Sequence, residues 1–396
     1  MATHPSELKA VNPDGTRIGV SETVVRRVWN AAGGRCSICN HYLLVDEHTE
    51  QAVSIGQLAH LVGATASAGS PRRQAALPLK HRALAANLML LCNDQHKVID
   101  DAALWSPYTV ERLRALKTEH EAEIRNLTGL WSRNRSTVVQ LVGQIRGRSV
   151  DLSADAVAST LLDQQLFPDR SLRDGDDFIV DVRSYPGEQE SAPHYWTSAA
   201  EEVRRRMLPL SKYLRSGDIQ HLSVFPLARI PLLVLLGTLL DDANPVVVNA
   251  KDRSLPTGWG WKGRDGDPLD FTVEVADGTG DPVVTFSLSA HVQADALPPE
   301  LRNRPRYSLR PSIAEPSVEI LRSAQDLQTF TSTWRDLLTQ LERNHRGRPI
   351  AIVPAVPVTA AVNIGRALMT GAHPPVNVYD LDPATGSYSH ALDVTA

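Results

Sequence analysis

The chain has 396 residues, 42% hydrophobic and 22% charged, a length too great for one ordinary core, so two or three domains are expected. Its longest uncharged apolar stretch, residues 230–240, falls well short of a membrane span, and the opening MATHPSELKA has none of the basic and apolar regions of a signal peptide, so a reducing cytoplasm and free thiols are expected. The net charge of -4 is uneven: residues 1–150 hold 18 Lys and Arg against 13 Asp and Glu, and the remainder 23 against 32, which makes the first part the one suited to a polyanion.

In chain order, a helix is predicted over residues 21–32, with Ser21 as N-cap, Val24, Val25 and Val28 as its apolar stripe, and Gly33 with Gly34 as its stop. RCSICN follows directly. The polar stretch 63–78, with SAGSPRR, reads as an exposed loop. Residues 83–91 lead into CNDQHKVIDD, and a further helix is predicted with Ser106 as cap, Pro107 as opener and Val110, Leu113 and Leu116 on one face, closing a first domain near residue 125. Beyond it, STVVQLVGQIRG reads as a strand, LSADAVASTLL as a capped helix, FIVDV as a strand and TSAAEEVRRRMLPLSKYL as a helix, an α/β pattern.

The second part repeats itself at an offset of 128. VFPLARIPLLVLLGTLL, from Val224, matches IVPAVPVTAAVNIGRALM, from Ile352, so that Pro226 faces Pro354, Gly237 faces Gly365 and Leu240 faces Leu368. Each copy reads as strand, proline-bearing turn and apolar helix, followed by another strand, PVVVNA or PVNVYD. Two related α/β halves are implied.

All three cysteines lie in the basic first part. Cys36 and Cys39 form C-x2-C in a turn after a helix, with Cys92 downstream, the arrangement that sets thiolates at the corners of a zinc tetrahedron. A fourth ligand is needed, and His96, Gln95, Asp94 and His41 are candidates. His96 and Asp100, four residues apart, share a helix face and suit a divalent cation between them. His60, in the apolar segment QLAHL, suits the strand of a ββα unit, and Asn87 precedes His96 by nine residues, enough to cross from a strand end into a helix. A histidine base beside a hard cation is competent for phosphodiester hydrolysis, with Asn87 fixing the imidazole.

With the flanking cysteines, the order QLAHL, ANLML, LLCNDQHKVID resembles the HNH nuclease family over residues 21–125. The resemblance implies His60 as general base, Asn87 as the middle Asn, His96 as the second His on a catalytic Mg2+, Asp100 or substrate and water completing that metal's shell, and Cys36, Cys39 and Cys92 on a structural Zn2+. Two positions depart from the family pattern: Ala59 stands where a metal-binding Asp or His is common, and Gln95 where a zinc-binding Cys or His is usual.

The repeat, above all IVPAVPVTAAVNIGRALMTGAHPPVNVYD, and the opening VVQLVGQIRG resemble the SAVED domain, two fused CARF-like, Rossmann-type halves that bind cyclic oligonucleotides. Each repeat sets a helix N-terminus after a strand, at residues 229–231 and 358–359, and such ends are good anion sites. Arg229, Lys251, Arg310 and Arg366 are candidates for phosphate, Trp259 and Trp261 for base stacking, and Thr359 and Asn363 for further ligand contacts. The fold expected is therefore α+β and α/β: a tail over 1–20, a ββα-metal HNH domain over 21–125, a linker and first strand over 126–148, and a SAVED domain over 149–396.

This pairing resembles an effector of CBASS antiphage defence. It implies an HNH endonuclease that cuts double-stranded DNA without sequence choice when a cyclic dinucleotide such as a cGAMP isomer, or a trinucleotide, drives homo-oligomer assembly. Two other readings remain open from the residues alone. One is a nucleotide-sensing, zinc-containing DNA-binding regulator with no need of the His60, Asn87, His96 trio; the other is a modification-dependent restriction nuclease, whose second domain would be basic where this one is acidic.

Overall fold

The computed structural model describes residues 19–396 apart from 47–48, 68, 74, 146, 150–151, 170–177, 190, 241–243, 253, 369–372, 383 and 395–396, so all but the last two residues of the expected tail lie outside the described residues. It divides into two compact units, Met1–Leu130 and Trp131–Ala396.

The first unit opens with helix α1, Glu22–Ala31, whose N-cap Ser21 accepts a hydrogen bond from the Val24 N–H and whose Val24 and Val28 are buried. Gly33 and Gly34, at φ +62° and +69°, turn the chain out of it, a conformation that would strain any residue with a Cβ. Strands β1, Gln57–His60, and β2, Leu88–Leu91, pair antiparallel, with Gln57 opposite Leu91 and His60 opposite Leu88. Between them lies the single turn α2, Leu79–Arg82. Helix α3, Asn93–Asp100, follows β2 at once, completing a ββα unit over a core that includes Leu43, Leu61, Met89, Ile99 and Leu113.

Helix α4, Val110–Thr128, starts later and ends later than the sequence suggests. Thr109 is its cap, accepting from the Arg112 N–H at 3.2 Å, because the Tyr108 N–H is already bonded back to Leu104 and leaves Ser106 and Pro107 in the preceding turn. Asn87 also sits differently: it closes the 3-10 turn before β2, at the start of that strand rather than at a strand end leading into the helix.

In the second unit, β3, Arg135–Val142, is followed by the short pair β4, Gln144–Ile145, and β5, Arg148–Ser149, then α5, Ala154–Asp163, capped by Ser153. Strands β6, Phe167–Pro168, and β7, Phe178–Asp181, both pair with β3. The single long helix predicted next is two, α6, Pro193–Met207, and α7, Leu210–Ser216, because Pro209 lacks the N–H that would carry the helix through. Strand β8, Leu222–Leu227, helix α8, Ile230–Leu239, and strand β9, Val246–Val248, complete the first half, in which β7, β3, β8 and β9 run parallel in that order while β4 and β5 pair antiparallel.

The second half has β10, Phe271–Ala276, β11, Val283–Ser287, β12, Arg306–Pro311, α9, Ala324–Asn344, β13, Ile350–Ala355, α10, Val358–Arg366, β14, Val376–Asp382, and β15, Ser387–Val394. Its inner strands are parallel in the order β12, β11, β13, β14, the same succession as in the first half, and β10 and β15 add antiparallel edges. At the offset of 128, β8 coincides with β13 end to end, and the first residue of α8 with that of α10. Helix α8 is apolar on nearly every side because it is covered all round: Pro231 to Gly237 are all buried, and its neighbour on one side is α10. The repeat is thus a structural duplication. Among the described residues no helix is long and apolar enough to cross a membrane.

Candidate functional site

The cysteines come together first. The Sγ atoms of Cys36, Cys39 and Cys92 all lie within 4.8 Å of one another, and Cys39 and Cys92 are 3.8 Å apart. Zn–S bonds of about 2.3 Å directed to a tetrahedron put sulfurs about 3.8 Å apart, so the donor set fits Zn2+. Burial pushes the Cys36 thiol up, but hydrogen bonds from the backbone of Cys39, Cys92 and Ile38 outweigh it and hold the group below its ordinary value, as a metal-binding thiolate requires. Cys39 goes the other way, pushed up to about 11 by burial first and then by the neighbouring Cys36 and Cys92 sulfurs. Of the proposed fourth ligands, His96 is turned elsewhere, and Gln95 meets the cluster through its backbone N–H, 3.5 Å from Cys92 Sγ. Among the described residues this is the only group of three or more such ligands.

On α3, His96 Nε2 lies 3.4 Å from Asp100 Oδ2. Gln57 fixes the ring: its Nε2 donates to Asn93 at 3.3 Å, which leaves its Oε1 to accept from His96 Nδ1 at 2.6 Å. With the proton on Nδ1, Nε2 presents a lone pair to a carboxylate oxygen, and two acceptors this close need a cation or a second proton between them. That pair fits one edge of a divalent-cation site. Asp100 is held below the usual carboxylate range: burial raises it, and Arg72 together with His96, when that second proton makes it an imidazolium, outweighs burial.

Asn87 is buried, but it does not reach the imidazole. Its Oδ1 accepts from the Val62 N–H, and its Nδ2 donates to the carbonyls of Val62 and Arg82, all at 2.9 Å. Holding the backbone two residues beyond His60 is the more rigid arrangement, because a planar amide matched to a peptide leaves no free rotation. His60 itself is half-buried at the end of β1.

In the second unit a cavity of about 870 Å³ opens where β8, β11 and β13 end, bounded by residues of both halves. Such C-terminal strand ends are the usual ligand crevice of α/β sheets, and the volume lies in the upper part of the small-molecule range. Of the sequence candidates, Lys251, Trp261 and Thr359 line it. Lys262 and Arg322 add two cations that sequence reasoning missed, although Lys262 adjoins Trp261 in GWGWKGR. Lys262 is paired with Glu319 at 3.1 Å and Asp252 at 3.4 Å. Helix α10 presents its first residues, Val358 and Thr359, to the same space.

The other five candidates sit elsewhere. Arg229 is buried: its Nε and Nη2 bond Asp380, Nη1 bonds the Glu188 carbonyl and carboxylate at 2.7 and 2.8 Å, and Nη2 also reaches Ser191, with the guanidinium over the Trp196 ring. Every face of that cation is taken, so it is not open to phosphate. Arg229 is the repeat equivalent of Pro357, which lines the cavity. The head of α8 is therefore closed by side chains where the head of α10 is open. Trp259 is a core residue, 2% exposed and edge-on to Phe225. Arg310 pairs with Glu274 across β10 and β12. Asn363 is buried against Thr331, and Arg366 ends α10, away from its N-terminus.

The family described as "SMODS-associated and fused to various effectors sensor domain", SAVED, matches residues 203–394. The match begins inside α6 and leaves out β3 and β7, which are nonetheless hydrogen-bonded into the sheet through β8. Among solved structures, the Acinetobacter baumannii Cap4 SAVED/CARF-domain containing receptor with the cyclic trinucleotide 2'3'3'-cAAA is 13% identical with a TM-score of 0.44, over 76% of this chain and 62% of that one. The corresponding Moraxella osloensis receptor is 11% identical with a TM-score of 0.37, over 74% and 64%. The chain thus spans less than two thirds of these proteins, and no curated protein matches it. What the match establishes is that residues 203–394 form a SAVED sensor domain.

Proposed function

We propose that the chain is a metal-dependent DNA endonuclease gated by a cyclic oligonucleotide, in the manner of CBASS antiphage effectors. The observation that carries the reading is the cavity at the strand ends of the SAVED part, where Lys251, Arg322 and the head of α10 offer positive charge beside the flat ring of Trp261, while Lys262 is paired with Asp252 and Glu319 at the same wall. A ligand with several phosphates and several bases matches that surface. The A. baumannii receptor was solved with a cyclic trinucleotide, which supports assigning this cavity a ligand of the cyclic di- or trinucleotide class.

The first unit is then the effector. His60 takes a proton from the attacking water. Gln57 holds His96 with its Nε2 toward Asp100, and Asn87 keeps the chain beyond His60 in place. A divalent cation held by His96 and Asp100 would supply charge to stabilise the pentavalent phosphate and the leaving 3' oxygen. A zinc ion on the three cysteines would anchor the turn before β1 to the head of α3, since Cys92 is the N-cap of that helix. Coupling is a population shift: the ligand favours an assembled homo-oligomer whose nuclease units are competent, by as much as its affinity for the two states differs.

The test is incubation of the purified chain with supercoiled plasmid and Mg2+ across cGAMP isomers and cyclic tri-adenylates, with oligomer size followed in parallel. Cleavage and growth in size with one ligand, both absent without it, is the expected result. His60→Ala should bind ligand and assemble but leave the plasmid intact. A ligand that binds and assembles the wild type without cleavage would make the chain a sensor with no nuclease.

A further inference from the structure

The segment between β1 and β2 is fastened by two arginines, Arg82, which is buried, and Arg72, whose side chain is buried. Arg82 bonds the carbonyls of Gly63, Thr65, Arg73 and Leu77, all within that segment. Arg72 reaches out of it. Its Nε donates to the Leu61 carbonyl at 2.7 Å, Nη2 to the His60 carbonyl at 3.2 Å, and Nη1 to the Ile99 carbonyl at 2.6 Å, while Nη2 also lies 3.4 Å from Asp100 Oδ1. Its side chain is 5% exposed, and its backbone is left-handed, at φ 50°, a conformation that a residue with a Cβ keeps only when its surroundings hold it there.

These partners belong to two elements. His60 and Leu61 are the exit of β1; Ile99 and Asp100 are the last turn of α3. The Ile99 carbonyl is one of the helix-end acceptors with no partner inside the helix, and a guanidinium there also suits the negative end of the helix dipole. Because Arg72 engages Asp100 through Oδ1, Oδ2 is the oxygen left facing His96.

We propose that Arg72 is a positioning residue of the hydrolytic site, one guanidinium that fixes the strand end bearing His60 against the helix turn bearing His96 and Asp100. The proposal rests on the nuclease reading above. A planar fork is needed, since acceptors in three directions cannot be served from the single nitrogen of a lysine at the same distances. Displacing reacting groups by about 1 Å costs on the order of 100-fold in rate, so the effect belongs in kcat rather than in DNA affinity.

The experiment uses the full chain with supercoiled plasmid, Mg2+ and a mixture of cGAMP isomers and cyclic tri-adenylates, and compares wild type, Arg72→Met, Arg72→Lys and His60→Ala. Arg72→Met is expected to lose on the order of 100-fold in kcat, with unchanged KM, bound zinc and helical signal, and Arg72→Lys to recover part of the loss. Wild-type kcat in Arg72→Met, a rise in KM alone, or loss of zinc or helical signal in that variant would each overturn it. An inactive wild type would overturn the nuclease reading and this proposal with it, an outcome distinct from an active wild type matched by Arg72→Met.

Discussion

Gly237 and Gly365 are backbone to backbone where α8 crosses α10: a Cβ on either would lie 2.9 Å from the Cα of the other and would collide with a backbone carbonyl, that of Val362 for Gly237 and that of Val234 for Gly365. These contacts are reciprocal at the repeat offset, since Val234 and Val362 are themselves equivalent. The pseudo-twofold axis relating the halves therefore passes between the two glycines. Gly237→Ala and Gly365→Ala should each destabilise the second unit by about 1–3 kcal/mol or more, because backbone, not a flexible side chain, must give way. Thermal unfolding of both singles and the double variant checks this; the double should cost less than the sum, since either methyl alone forces the helices apart.

The two tryptophans of GWGWKGR should separate by role. Trp261 lines the cavity, and Trp261→Ala should weaken cyclic oligonucleotide binding by about 1–3 kcal/mol, the usual loss of one stacked base, with a smaller fall in melting than Trp259→Ala because its ring is only partly buried against the core. Trp259→Ala removes a buried ring packed on Phe225 and should lower stability by about 3–5 kcal/mol. Calorimetric titration beside a melting curve reads both.

Chelation should remove one zinc per chain and unfold the first unit ahead of the second, and Cys36→Ser should purify without zinc. Zinc affinity should rise with pH: Cys39, pushed up to about 11, must give up a proton to bind, so acid competes with the metal. Zinc content by elemental analysis, across buffers from pH 6 to 8, is the measurement.

Asp326 is fully buried and accepts from the N–H groups of Leu269, Arg322 and Ser323 and from Arg264 at 2.8–3.1 Å. Burial alone would raise its carboxyl, but these donors hold it below the usual range. Its contribution is thus complete above the unfolded value near 4 and is lost as pH falls through the lower folded value. Asp326→Asn should flatten that part of the acid-unfolding curve while lowering stability at pH 7.

Asn87→Ala should cost about 1–3 kcal/mol by leaving the Val62 and Arg82 groups unsatisfied, and Asn87→Asp should be no better, since a carboxylate cannot donate to either carbonyl. Melting of the first unit checks both.

What could be read from the sequence is what repeats locally. Ser21 before a valine stripe, the strands and helices of the duplication, and the C-x2-C turn announce themselves through period and spacing. The sites were harder because charge pairing is non-local. Arg229 and Lys251 look alike as letters, yet only the fold brings Glu188 and Asp380, 41 residues before and 151 after, onto the first. Arg72 and Gln57 were invisible for the same reason: one lies in a polar loop, the other at a strand's exposed end, and each matters through a partner 27 or more residues away.

The closed head of α8 and the open head of α10 mean that, among the described residues, a duplicated scaffold presents a lopsided cavity. On the reading proposed above, its two walls would make the two orientations of a bound ring unequal in energy, whereas a cleft with true twofold symmetry leaves them equal.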